Sequence, residues 1–73
     1  MSREAALDAA LIRLHGSGEA AALAALHEEA AALLPDAGAR RFHATHAWVY
    51  ALEAGDGARV ARLEQALRAA GGL

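Results

Sequence analysis

Two short stretches decide the architecture: Gly16-Ser17-Gly18 and Gly55-Asp56-Gly57. Each Gly-x-Gly lies between two runs rich in alanine and leucine. Glycine supplies the left-handed residue that ends a helix, and serine or aspartate caps the next one. The two stretches therefore cut the chain into helix–turn–helix units. With the stop at Pro35, the periodicity predicts four helices over about 3–15, 19–34, 37–54 and 57–70. Short linkers make sequential helices antiparallel. The expected fold is all-α, two consecutive helical hairpins arranged as a solenoid-like pair or as a four-helix bundle.

In the first helix, Ser2 is the expected cap, and Leu7, Ala10, Leu11 and Leu14 recur on one face. Ile12 falls nearly opposite, either a scattered surface apolar residue or a second contact face. In the second, capped by Ser17, Leu23, Leu26, Ala30 and Leu33 repeat with 3–4–3 spacing. Glu28 and Glu29 lie on the other side, and Pro35 stops the helix. In the fourth, capped by Asp56, the expected buried residues are Val60, Leu63, Leu67 and Ala70. Glu64 and Arg68 are spaced as an outward i, i+4 pair, and Gly71-Gly72 ends the helix.

The third helix, capped by Asp36, divides at 100° per residue into three faces. Phe42, Trp48, Val49 and Leu52 form a bulky apolar face; Phe42 and Trp48 read as core, or else as anchors for a partner or a ring-shaped ligand. Ala44, Ala47, Ala51 and Ala54 form a smooth alanine face. His43, His46, Tyr50 and Glu53 form a polar stripe. Two apolar sides place this helix at the centre of the domain, packed by neighbours on both.

Composition bounds the function. The chain has 73 residues, enough for one domain, and 56% are hydrophobic, most of them alanine. Alanine buries little area, so the stability margin is thin, a few kcal/mol at most. Self-association would relieve that limit, and a homo-oligomer, most simply a dimer, is expected. A formal charge of −2 offers no basic field for nucleic acid or an anionic membrane. With no cysteine and no lysine, thiolate chemistry, disulfides and Schiff bases are out of reach. The Ala/Arg/Gly bias without Lys or Asn points to a high-GC bacterial genome. No signal peptide is evident, and the longest apolar stretch is interrupted by His27-Glu28-Glu29, so a cytoplasmic protein is expected.

Ala47-Trp48-Val49-Tyr50-Ala51-Leu52-Glu53-Ala54-Gly55-Asp56, followed by Arg59 to Leu67, resembles a tetratricopeptide repeat. In that family an alanine- and aromatic-rich helix ends in a Gly-Asp-type turn and a second helix packs back. The chain departs from the pattern at Trp48, where the family places a small residue. The resemblance covers about the last 35 residues and implies a protein-interaction surface with no catalysis.

Nucleophilic catalysis finds no support. Ser2 and Ser17 are expected as caps, Thr45 is positioned to bond back to its own helix, and Tyr50 has no evident base. No phosphate loop, zinc-protease motif or paired-carboxylate motif is present, and no cofactor is implied. The expected function is protein binding by a self-associating adaptor. Its surface is placed on Ile12, Ala44, Ala47, Trp48 and Ala51, and in the groove between hairpins. The alternative is a metal or small ligand held by His43, His46, Tyr50 and Glu53, with His27 reaching across or a second stripe supplied by a dimer mate. Arg40-Arg41 reads either as an anion grip or as a surface ion-pair cluster with Asp36.

Overall fold

Asp36 and Asp56 fix where two of the helices begin. The Asp36 carboxylate accepts from the Ala39 N–H at 2.7 Å, and Asp56 accepts from the Arg59 N–H at 3.1 Å. Each satisfies a backbone donor that has no partner inside its helix. The computed structural model describes the backbone of residues 2–17 and 19–72, with side chains for 2–10 and 19–72. It contains α1 (Arg3–Ser17), α2 (Ala20–Leu33), α3 (Ala37–Ala54) and α4 (Gly57–Ala69), and no strand among the described residues. Ser2 caps α1 as expected, its Oγ accepting from the Ala5 N–H at 3.1 Å. Gly55, at φ +72°, closes α3 in the left-handed conformation that glycine tolerates best. Replacing Asp56 by alanine is expected to cost about 1 kcal/mol, read as a lower urea midpoint at unchanged m.

The first turn differs from expectation. α1 continues through Gly16 to Ser17, and the N-cap of α2 is Glu19, which makes no side-chain cap bond. Ser17 is thus the last residue of one helix rather than the cap of the next. A glycine in a final turn is tolerated at a modest entropic cost and does not by itself end a helix.

Consecutive helices pack on one another, α1 on α2, α2 on α3 and α3 on α4, with the α2–α3 interface the most extensive. The Cα atoms span 32 × 28 × 14 Å, a flattened slab. The radius of gyration of 11.6 Å is that of a compact chain of this length, about 11 Å. The core comprises Ala24 of α2, Ala44, Ala47 and Ala51 of α3, and Leu63 and Leu67 of α4. Leu7 of α1 and Leu23 and Ala30 of α2 are buried outside that cluster.

The α3 faces are the reverse of those expected. Ala47 and Ala51 are 0% exposed and Ala44 is 9%, whereas Phe42 is 55%, Val49 43% and Leu52 51% exposed. The alanine face is therefore core, not a binding surface. The bulky face, Trp48 apart, is surface, not core. The reason is distance: α3 is flanked by α2 and α4, and small side chains let the backbones approach while large ones hold them apart. Ala54, past the last packed turn, is exposed.

In α2 the buried arc is Leu23, Ala24, His27 and Ala30, rotated away from the expected Leu26 and Leu33; Leu33 is 39% exposed. In α4, Leu63 and Leu67 are buried as expected, Val60 is half-buried and Ala70 exposed. Glu64 turns to the Trp48 indole, accepting its Nε1–H at 3.2 Å, so it is not the outward partner of Arg68.

Adjacent carboxylates on α2 address different neighbours, because successive residues are 100° apart on a helix. Glu29 pairs with Arg3 of α1. Glu28 pairs with Arg59 and takes a two-pronged bond from Arg62, at 2.8 and 3.0 Å, tying α2 to α4. The Arg62 hydrogen bond, then the charges of Arg62 and Arg59, hold the Glu28 carboxyl below its ordinary value against the opposing effect of burial. Asp36 is committed to its cap, and Arg40 and Arg41 make no ion pair among the described residues.

Candidate functional site

Two features of α3 stand out once the helices are in place: a cluster of rings against α2, and an apolar stripe facing outward.

The cluster is built by His27 of α2 and by His43, His46 and Tyr50 of α3. His27 is only 3% exposed. Its Nδ1 lies 2.9 Å from Nδ1 of His43, so one ring donates an N–H and the other accepts. The His27 ring is stacked on Tyr50, centroids 5.6 Å apart and 13° between planes, and lies 5.2 Å from the His46 ring. Nδ1 of His46 is 2.8 Å from the Phe42 carbonyl oxygen and therefore carries the proton of that bond. Three members of the sequence-predicted stripe are thus brought together, joined by His27 as expected. Glu53 is exposed one turn further on and is not part of the cluster. Among the described residues, no three His, Asp or Glu side chains converge as a metal site requires.

The His27–His43 contact needs one neutral imidazole. Burial first, then the nearby His46, push the His43 imidazole below its ordinary 6.5, against an opposing pull from Asp8 of α1. The sign follows. Above pH 6.5 the ring is neutral in folded and unfolded chains alike. Below it the unfolded chain takes up the proton first, and the fold loses stability until the pH reaches the lower folded value. Urea midpoints measured from about pH 7.5 to about pH 5 are therefore expected to fall. His43→Gln is expected to flatten that fall. An identical pH dependence in the variant would remove this role from His43.

The outward stripe consists of Phe42, Val49 and Leu52, with Thr45, His46 and Glu53 beside them. Phe42 leans on His46, ring centroids 4.2 Å apart, and meets the His43 ring edge-on at 5.2 Å, leaving 55% of its surface exposed. Thr45 bonds back to the Arg41 carbonyl oxygen at 2.8 Å as the sequence indicates. A shallow groove lined by Thr45, His46, Val49, Tyr50 and Glu53 runs along this face.

Of the residues singled out as an interaction surface, Ala44, Ala47 and Ala51 are buried and Trp48 is half-buried against α4. The side chain of Ile12 lies outside the described residues. Bulk points Phe42 to the core, and two packed apolar sides would take Val49 and Leu52 there with it, but all three are exposed. The signal against that assignment is the alanine row on the opposite side, which only a close helix approach explains.

No helix among the described residues is long and apolar enough to cross a membrane. No protein-family model, curated protein or solved structure matches the chain.

Proposed function

We propose that this chain is a small, non-catalytic protein-interaction module that binds through the outer face of α3. The observation that carries the reading is the inversion on that helix. Its alanines are packed, while Phe42, Val49 and Leu52 are 43–55% exposed along one stripe. Single exposed apolar residues are ordinary, but three in a row on one helix form a patch of the kind that partners cover. The hairpin pattern over about residues 37–71, similar to a tetratricopeptide repeat, supports the same reading.

A photo-crosslinking amino acid introduced at Val49, with Gln65 on the exposed side of α4 as control, tests it in living cells. Adducts from position 49 and none from position 65 are expected. Equal yields at both, or none at either, would remove the reading.

A second reading, a metal or small ligand held by His43, His46, Tyr50 and Glu53, has in its favour only that His43, His46 and Tyr50 gather around His27; Glu53 stands outside that cluster, and no three His, Asp or Glu side chains among the described residues converge as a metal site requires. That reading requires a melting temperature that rises with added zinc and no longer does so in His43→Ala and His46→Ala, by about 2.7 kcal/mol of linkage at a hundredfold excess over Kd. A flat response to zinc, cobalt and nickel would leave the cluster its packing role alone.

A further inference from the structure

We infer that the cleft between α2 and α4, over the first turns of α3, binds a medium-chain aliphatic carboxylate, its head held by Arg40 and Arg41 and its tail laid among alanines. This site lies apart from the outer stripe of α3 and stands or falls without it.

The two arginines are the starting point. By sequence, Arg40-Arg41 reads either as an anion grip or as an ion-pair cluster with Asp36. The Asp36 carboxylate is spent on the Ala39 N–H. Neither arginine makes an ion pair or a side-chain hydrogen bond among the described residues. Both line a cleft of about 290 Å³ whose other walls are Ala31 of α2, Ala37 and Ala44 of α3, and Ala66, Leu67 and Ala70 of α4. Ala37, Arg40, Arg41 and Ala44 follow at the i, i+3, i+4 and i+7 spacing of one helix face, so the floor carries both charges. The C-terminal end of α4 makes room for Arg41. A Cβ at Gly72 would come within 3.3 Å of the Arg41 Cδ, so the missing side chain leaves space for the arginine stem.

One turn along both walls, Glu28 of α2 reaches across to Arg62 of α4, at 2.8 and 3.0 Å. Glu28 precedes Ala31 by three residues and Arg62 precedes Ala66 by four, each on the same face of its helix. This bridge bounds the cleft at its Ala44 end and leaves the arginines towards the other.

The lining names the occupant. Two cations without an anion among the described residues call for an anionic head, and a carboxylate matches the two-pronged geometry of a guanidinium. The remaining walls are methyl groups and a leucine side chain, which favour hydrocarbon. They belong to helices, not to a strand edge, so they offer no row of backbone partners to a peptide. A peptide laid in the cleft would leave most of its N–H and C=O groups unpaired, a cost that a bare hydrocarbon tail avoids. The cleft volume lies at the lower edge of small-molecule sites. The floor from Ala37 to Ala44 is about 10 Å long, the scale of extended octanoate.

Titration of the full chain with octanoate, followed by backbone amide NMR shifts, tests the inference. Saturable shifts are expected at Ala31, Ala44, Ala66 and Ala70, and not at Val49 or Leu52, with a Kd of about 0.1–1 mM. Acetate supplies the head without the tail and octanol the tail without the head. Each is expected to bind at least about tenfold more weakly. Arg40→Gln combined with Arg41→Gln is expected to weaken octanoate about tenfold as well. Ala66→Leu, which fills the cleft from an exposed position, is expected to abolish binding. Helical circular dichroism of each variant guards against unfolding.

An octanoate response that does not saturate by about 10 mM would overturn the inference. So would octanol binding as tightly as octanoate, a double arginine variant that binds like wild type, or shifts centred on the outer stripe. A short peptide ending in leucine that binds more tightly than octanoate would make the occupant a peptide C-terminus. Cleft shifts that grow with protein concentration alone would make it a second copy of the chain. Either result would overturn the fatty acid as occupant.

Discussion

Leu67→Ala leaves the chain largely unfolded at 37 °C. Leu67 is 1% exposed, sits in the centre of the α3–α4 interface, and packs among alanines that cannot swing in to fill a void. Removing a buried leucine costs the transfer of the lost carbons plus the cavity left behind, about 2–5 kcal/mol. A single-core domain of this size rarely holds more than about 3–5 kcal/mol, so the loss consumes most of the margin. Phe42→Ala deletes a larger side chain, yet at dilute concentration it is expected to cost under about 1 kcal/mol, because Phe42 is mostly in water. Urea unfolding at 25 °C, followed by helical circular dichroism, separates the two. Equal losses would mean that bulk, not position, decides stability here.

Ala47→Leu is the second large effect, with the opposite chemistry. It adds apolar volume and still destabilises, by about 1–3 kcal/mol. Ala47 is 0% exposed and belongs to the cluster that joins α2, α3 and α4. A leucine there has no room unless helices part, and parting disturbs Ala24, Leu63 and Leu67 together. Leucine is nearly as good a helix former as alanine, so the loss reports packing and not helix propensity. Val49→Leu, two residues on and on the opposite, outer face, is expected to be neutral within about 0.5 kcal/mol. Thermal melts of the two variants give the comparison directly. A tolerated leucine at Ala47 would show that the central interface is looser than its burial implies.

Element positions were largely legible in the sequence. α3 has its expected bounds, and Ser2, Asp36, Asp56 and Gly55 cap as their chemistry requires. The turn at Gly16-Ser17-Gly18 was placed early, because a glycine permits a helix end without compelling one. The larger error concerned which face of α3 is inside. Periodicity finds a stripe but does not say which of two apolar stripes is packed, and bulk favoured Phe42, Val49 and Leu52. Backbone approach decided for alanine, a tertiary fact with no local signature.

The same limit explains α2. His27 replaced Leu33 on the buried arc because His43 and Tyr50 wait across the interface, and no window confined to α2 contains them. The His43–His46–Tyr50 grouping was visible from its spacing. The departure of Glu53 from it was not, since that depends on where α2 begins relative to the end of α3.

The central claim is that the large apolar residues of α3 serve a surface and not the fold. Its most direct test is urea unfolding, at about 1 μM so that association contributes little, of the chain with Phe42, Val49 and Leu52 all replaced by glutamine. The predicted result is native helical circular dichroism with an unfolding free energy within about 1 kcal/mol of wild type. An unfolded chain, or a loss of several kcal/mol, would contradict it and return those three residues to the core.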